Sequence, residues 1–272
     1  MTLTERDDAA LRLLLEAVYE RCGYDFREYS RPLIHRRVHR RMAEEQLPTI
    51  ASLHERVLHD EECMQRLVAG MSISVTAMFR DPTFYVALRD VVVPLLRTHP
   101  FVRVWDAGCS TGEETYSLAI LLREEALETR TRLYATDIDS AALRRAKDGC
   151  FPLERMREYT CNYIRSHPRA CLSEYYRVRG GTAQFDPSLV AHTLFAQHNL
   201  VSDGVFNEFN LVVCCNVMIY FSPRLQQRVH DLLYRSLARF GVLALGDGES
   251  IRFTPHAAAY SELGGSLYRR IA

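Results

Sequence analysis

The chain has 272 residues, 47% of them hydrophobic and 25% charged, with 34 Lys plus Arg balanced by 34 Asp plus Glu. That length calls for one large α/β domain with a smaller companion, and the zero net charge excludes a global field that would recruit nucleic acid or an anionic membrane. Any basic site has to be local. No apolar run reaches the roughly 18 to 20 residues that a membrane span needs, and the start, MTLTERDDAALRLLL, lacks the basic opening of a secretory leader, so a cytoplasmic protein without membrane insertion is expected. None of the eight cysteines forms a CxxC pair, so reduced thiols are expected rather than a disulfide scaffold or a metal site.

Residues 1–75 read as an all-helical domain. Leu11, Leu14, Leu15 and Val18 recur at helical spacing, and GYDF at 23–26 breaks the pattern before a second helix from about Tyr29. That helix carries Arg36, Arg37, Arg40 and Arg41 in two adjacent i, i+4 rows, which predicts one cationic surface for either solvent or a partner. Nearby acids and the lack of interleaved aromatics disfavour nucleic acid. Pro48 and Thr49 open a third helix, and residues 60–69 make a fourth. In MSISVTAMFRDPTFYVAL, 71–88, the first part reads as an extended linker, and Asp81 reads as an N-cap with Pro82 in the first helical position. Arg80 stands at the junction, placed either to bridge two domains or to serve a site.

The run Phe101–Trp105 ends in Asp106, Ala107 and Gly108, and after Gly112 a helical pattern begins with Tyr116, Leu118, Ala119 and Leu122. A second strand, Leu133–Thr136, ends in Asp137, which completes a right-handed parallel βαβ unit. A ligand binds at the carboxyl ends of such strands, where Gly108 and Gly112 admit close backbone approach and Asp137 can take ribose hydroxyls. A phosphate-binding P-loop is excluded, because Glu113 and Glu114 follow Gly112 and would repel a triphosphate. The dinucleotide pattern GxGxxG is also absent, since 108–113 reads GCSTGE. An adenosine ligand that carries positive charge and no phosphate fits better, and S-adenosylmethionine is one, although acids in a first helical turn also simply complement the helix dipole.

Beyond a helix at 140–147, residues 148–188 change texture, with Pro152, Pro168, Gly180 and Gly181 and a hairpin between YYRVRG and GTAQF. They read as an inserted β subdomain, about 150–187. Three strands then return to the main sheet, near Thr193–Ala196, Leu211–Cys215 and Val242–Leu245, with a helix from Ser222 and Pro223 to Arg239 between the last two. A C-terminal hairpin turns at Gly264 and Gly265.

Together YDF before RRVHRRM, then SVTAMFRDP, AGCSTGEETYS, ATDID, HNL at 198–200 and NVMIYFS at 216–222 make the chain resemble the chemotaxis receptor methyltransferase (CheR) family over nearly its whole length. The resemblance implies an α/β fold in which a Rossmann-like S-adenosylmethionine-dependent methyltransferase domain, 76–272, carries the inserted β subdomain and follows the helical, substrate-recognising domain 1–75. It implies methyl transfer from S-adenosylmethionine to glutamate side chains on the cytoplasmic helices of methyl-accepting chemoreceptors, leaving S-adenosylhomocysteine. By position it assigns cofactor contacts to Ser74, Thr76, Arg80, Gly108, Glu113, Glu114, Asp137, Asn199, Leu200, Asn216 and Val217. Arg80 and Tyr220 fall nearest the chemistry, and Arg36, Arg37, Arg40 and Arg41 at the receptor. The family usually has Asn at Ser74, Phe at Met78 and Arg at Cys215, and GxSE where this chain reads GDGES at 246–250. The changed Cys215 position leaves room for a non-catalytic sensor or scaffold that binds S-adenosylmethionine, and a methyltransferase with another acceptor is a further alternative.

Overall fold

Apolar spacing along the first 71 residues produces four helices, α1 (Leu3–Cys22), α2 (Arg31–Glu44), α3 (Ile50–His59) and α4 (Glu61–Met71). Leu11, Leu14, Leu15 and Val18 of α1 share a buried core with Ile34, Val38 and Met42 of α2, Leu53 and Val57 of α3, and Met64 and Leu67 of α4. Each set lies on one face because its members recur every three or four residues along the helix. Thr49 caps α3 reciprocally: Ser52 N–H donates to Thr49 Oγ1 at 3.1 Å, and Thr49 N–H donates to Ser52 Oγ at 3.2 Å. The computed structural model describes residues 3–71, 76–167 and 171–271. They divide into two units, Met1–Ile73 with Tyr220–Arg228, and Ser74–Ile219 with Val229–Ala272.

The second unit begins with α5 (Pro82–Ala87), a wide π turn at Leu88–Val92, and α6 (Val93–Arg97). The turn is wide because Val93 N–H reaches back five residues to Leu88 O just ahead of Pro94, which has no N–H to give. Asp81 holds the expected N-cap position but does not cap with its side chain: its backbone is left-handed, φ 59°, which turns the carboxylate away from the helix N–H groups.

The βαβ unit consists of β1 (Val102–Ala107), α7 (Glu113–Glu124) and β2 (Thr131–Asp137), followed by α8 (Ser140–Asp148). The remaining main-sheet strands are β6 (Thr193–Gln197), β7 (Phe209–Cys214), β8 (Leu237–Leu245), β9 (Tyr260–Gly264) and β10 (Leu267–Arg270), in the order β6-β2-β1-β7-β8-β10-β9. The first five strands run parallel, while β10 and β9 turn back as the C-terminal hairpin. α10 (Pro223–Ser236) ends three residues earlier than its pattern predicts, so Arg239 lies in β8. The sequence SLARF contains no helix breaker; tertiary pairing of Phe209 with Leu237 ends the helix, and the register then slips so that Leu211 meets Val242. Phe240 takes up the slack with φ 65°.

The insertion holds β3 (Cys150–Pro152), β4 (Tyr176–Arg179) and β5 (Thr182–Phe185) in an antiparallel sheet ordered β3-β5-β4, with the hairpin where the glycines predict it. It also holds a helix that the sequence reading omitted, α9 (Met156–Ser166). Its polar and aromatic composition, MREYTCNYIRS, hides the apolar face, which consists of Met156, Tyr159 and Tyr163. Those residues join Phe151, Leu172, Ala183 and Phe185 in the same core as Tyr85, Tyr116 and Leu118. The buried Glu124 carboxylate of α7 fastens this region further, accepting from the Tyr163 and Tyr175 hydroxyls and pairing with Arg89.

Candidate active site

The chain leaves β1 toward β2 and β6 on one side of the sheet, and it supplies β7 and β8 on the other. The crevice outside the carboxyl ends of β1 and β7 is therefore the topological switch point, where ligands of open α/β sheets bind. Gly108 stands there with φ 93°, and a Cβ on it would lie 2.6 Å from Val217 Cγ2. No other residue fits between these two turns. The Gly108 and Cys109 N–H groups both donate to Thr136 O, at 2.8 and 2.9 Å, which ties the loop after β1 to the end of β2.

The two adjacent glutamates part company. Glu113 is buried and bound on both oxygens, accepting from the Tyr159 hydroxyl at 3.0 Å and the Thr111 hydroxyl at 2.6 Å. Glu114 turns toward Asp106 and Cys215, where burial and the nearby Asp106 charge drive its carboxyl well above the usual range. Burial also pushes Asp106 up, to about 6, even though the Thr115 hydroxyl donates to its Oδ2. Asp106 Oδ1 is buried and has no hydrogen-bond partner among the described residues. Burial and mutual repulsion thus push both carboxyls toward the protonated form, so the two titrate as a pair.

Asp137 closes β2. Its Oδ2 accepts from Ser110 N–H at 2.8 Å and its Oδ1 from Asp139 N–H at 2.9 Å, and burial raises its pKa against the pull of those bonds. Each oxygen keeps a second lone pair. At the end of β7, Asn216 adopts φ 58° and begins the turn that continues through Val217. Arg80, Glu114, Cys215 and Asn216 line one cleft of ≈ 200 Å³ together with Gly246 and Asp247. Phe79, Asp81, Ser110, Asn216 and Ser266 are all non-glycine residues with positive φ in or beside these loops, the kind of strain that collects where function over-determines the backbone.

Other assigned residues lie apart from that cleft. Asn199 and Leu200 are buried after β6, where Asn199 Oδ1 accepts from Val201 N–H at 2.9 Å and Asn199 N–H donates to Asp203 at 2.8 Å. Thr76 gives its carbonyl to Arg155 at 2.9 Å. Ser74 lies outside the described residues. Tyr220 groups with the helical unit, where its carbonyl accepts from Ser30 N–H at 2.8 Å.

The four arginines of α2 do not form one uniform surface. Arg40 pairs with Glu44 at 2.9 Å, and Arg41 turns inward, three-quarters or more buried, to Glu44 at 2.9 Å and Glu45 at 3.5 Å. Arg36 and Arg37 have no acid within 4 Å among the described residues, and burial, with Arg36 and Arg40 close by, lowers the Arg37 pKa. The acids three and four positions on, in RRMAEE, were the available signal for this split.

Two features of the site escaped the sequence reading. Glu249 accepts four backbone N–H groups around the cleft, and the sequence signal was only the GDGES stretch. α9 and Arg155, the residue at its N-cap, reach the site segments at three points: Arg155 to Thr76 O, Tyr159 to Glu113, and Asn162 to Met78 O at 3.1 Å. Their spacing of four and three residues puts all three on one helix face.

Residues 74–264 match the family described as CheR methyltransferase, SAM binding domain, and residues 9–72 match CheR methyltransferase, all-alpha domain. Over 97% of its length the chain is 46% identical to 96% of a Pseudomonas putida protein named "Putative methyltransferase Cher3". It is 29% identical to the chemotaxis protein methyltransferase of Escherichia coli K12, over 97% of this chain and 90% of that one. It is also 29% identical to the chemotaxis protein methyltransferase of Listeria innocua, over 84% and 85%.

Proposed function

We propose, from the premise that this chain belongs to the CheR methyltransferase family and is an S-adenosylmethionine-dependent methyltransferase, that its acceptor is a glutamate side chain on the cytoplasmic helices of a chemoreceptor. The observation that carries this reading is the cleft in which Arg80 shares a wall with Asn216 and Glu114 at the switch point. A guanidinium there can orient an incoming carboxylate by paired hydrogen bonds.

The residues fit the cofactor. Gly108 lets the backbone come close where a Cβ would collide, and Asp137 offers lone pairs to ribose hydroxyls. Asn216, Val217, Asn199, Leu200, Thr76 and Ser74 are assigned to the same ligand by family position. Bound there, S-adenosylmethionine supplies a methyl group activated by its sulfonium. The acceptor carboxylate is already ionised near pH 7, so the chain needs no general base. Its residues have to align the carboxylate and exclude water, and the upward shift of Glu114 lessens the repulsion an incoming carboxylate meets. Tyr220 is assigned to the reaction by family position alone, and Arg36 and Arg37, the α2 arginines without an acid within 4 Å among the described residues, are the contact for an acidic receptor helix.

Incubation with tritiated S-adenosylmethionine and chemoreceptor-bearing membranes tests this function. Base-labile label on the receptor is the expected result, and replacing Arg36 and Arg37 with Glu should remove it while S-adenosylhomocysteine still binds. Cofactor binding with no label on any receptor would favour a sensor or scaffold, and base-stable label would mean a different acceptor.

A further inference from the structure

Glu249 sits in the loop after β8, only 7% exposed, with its carboxylate pointed back under the turn that follows β7. Oε2 accepts from Asn216 N–H at 2.9 Å and from Gly246 N–H at 2.9 Å. Oε1 accepts from Val217 N–H at 3.1 Å and from Met218 N–H at 2.7 Å. One side chain thus satisfies three consecutive N–H groups of a turn that begins at a left-handed asparagine, together with one N–H of the neighbouring strand end. Without such an acceptor these buried donors would be unpaired, and a carboxylate is the one side chain whose two oxygens can accept all four without offering a donor in return.

The geometry points to Glu249 as a positioning residue for the cofactor site, setting the 216–218 turn against Gly108. The turn is held from both sides. Glu249 pulls on its N–H groups from below, and on the far side Val217 Cγ2 stands so near Gly108 that no Cβ can enter between them. The same turn presents Asn216 to the cleft, and Gly246, fastened to the same carboxylate, lines it too. A shift of the turn therefore moves two walls of the cleft together. Space is tight at that wall as well: a Cβ on Gly246 would lie 2.7 Å from Asn216 N and 2.9 Å from Glu249 Oε2.

This inference rests on the reading that Asn216 and Val217 contact S-adenosylmethionine, and the test separates the two. Glu249→Gln keeps the shape but turns an NH2 toward two N–H donors, so the dissociation constant of S-adenosylhomocysteine should rise about tenfold by calorimetry. Turnover at saturating S-adenosylmethionine should stay within about threefold of wild type, the pattern of a loss in cofactor affinity. Gly108→Ala pushes on the same turn from the other side, and the double variant should bind no more than about twofold more weakly than the weaker single variant, because both changes release one element. Should Glu249→Gln fail to fold, Glu249→Asp, which keeps the charge but is one methylene short, should show the same split between affinity and turnover. Unchanged affinity in Glu249→Gln, or losses that multiply in the double variant, would overturn the proposal. Asn216→Ala shows which idea has failed: if it binds S-adenosylhomocysteine normally, the site reading falls, and if it binds weakly while Glu249→Gln binds normally, only the role of Glu249 falls.

Discussion

The arginine row of α2 and the acid pair behind β1 both bring like charges together, and the protein treats them in opposite ways. On α2, Arg40 and Arg41 are answered by Glu44 and Glu45 within one helical turn. The exposed Arg40–Glu44 pair contributes only a few tenths of a kcal/mol, Arg41 is held inward by its two acids, and Arg36 and Arg37 are left as the cationic remainder. Behind β1, burial pushes the Asp106 and Glu114 carboxyls up, toward the protonated form. A surface adjusts its charge by pairing, while a buried site adjusts it by titration, and only the second couples the site to pH.

Changes among the acids of the site should therefore cost most. Asp137→Ala removes a half-buried carboxylate that accepts two backbone N–H groups and, in the proposed site, ribose hydroxyls. Binding of S-adenosylhomocysteine should weaken by roughly 2 to 3 kcal/mol, and calorimetry on the folded variant checks it. Unchanged affinity would move the ribose away from β2. Next in size, Arg80→Ala should lower turnover by at least about tenfold, which corresponds to roughly 1.4 kcal/mol, with a smaller change in cofactor affinity. Intact turnover would leave Arg80 as a structural arginine.

The acid pair itself makes a prediction with a defined sign. Both carboxyls titrate higher in the fold than in the unfolded chain, Asp106 moving from 3.8 to about 6 and Glu114 well above 4.5. The folded state then binds protons that the unfolded state has released, so the pair's contribution is fully present below about pH 4 and is lost as pH rises through about 6 and beyond. Denaturant titrations at pH 5 and pH 8 should show that loss in the wild type and a smaller one in Glu114→Gln, which carries no proton to lose. An equal loss in both proteins would mean that the pair does not titrate together. The smallest effect belongs to the surface: Arg40→Ala should change stability by no more than about 0.5 kcal/mol, and a larger loss would show that the α2 pairs act as a network.

Much of this arrangement was legible in the sequence because the signals were local. The βαβ unit, the capped start of α3, the C-terminal hairpin and the Gly108 turn each follow from residues within a few positions of one another. What escaped was set by partners far along the chain. β8 begins at Leu237 only because Phe209 pairs with it. Glu249 matters through N–H groups more than thirty residues away. α9 hides an apolar face of tyrosines whose hydroxyls find Glu113 and Glu124. Likewise Glu113 and Glu114 look equivalent as letters, and among what tells them apart is Tyr159, forty-six residues on.

The insertion between α8 and β6 looks in sequence like a graft, a stretch of foreign texture between two conventional elements. Its interior denies that description, because Phe151, Tyr159, Tyr163 and Phe185 close the same core as Tyr85 and Tyr116. Cutting it out would open the centre of the unit to water and strand the Glu124 carboxylate beneath it. The natural unit of exchange between relatives is therefore not the β3–β5 sheet but that sheet with α5, α7 and α9 attached. A chimera that respects this seam should fold, whereas one cut at the hairpin boundaries should be recovered as aggregate.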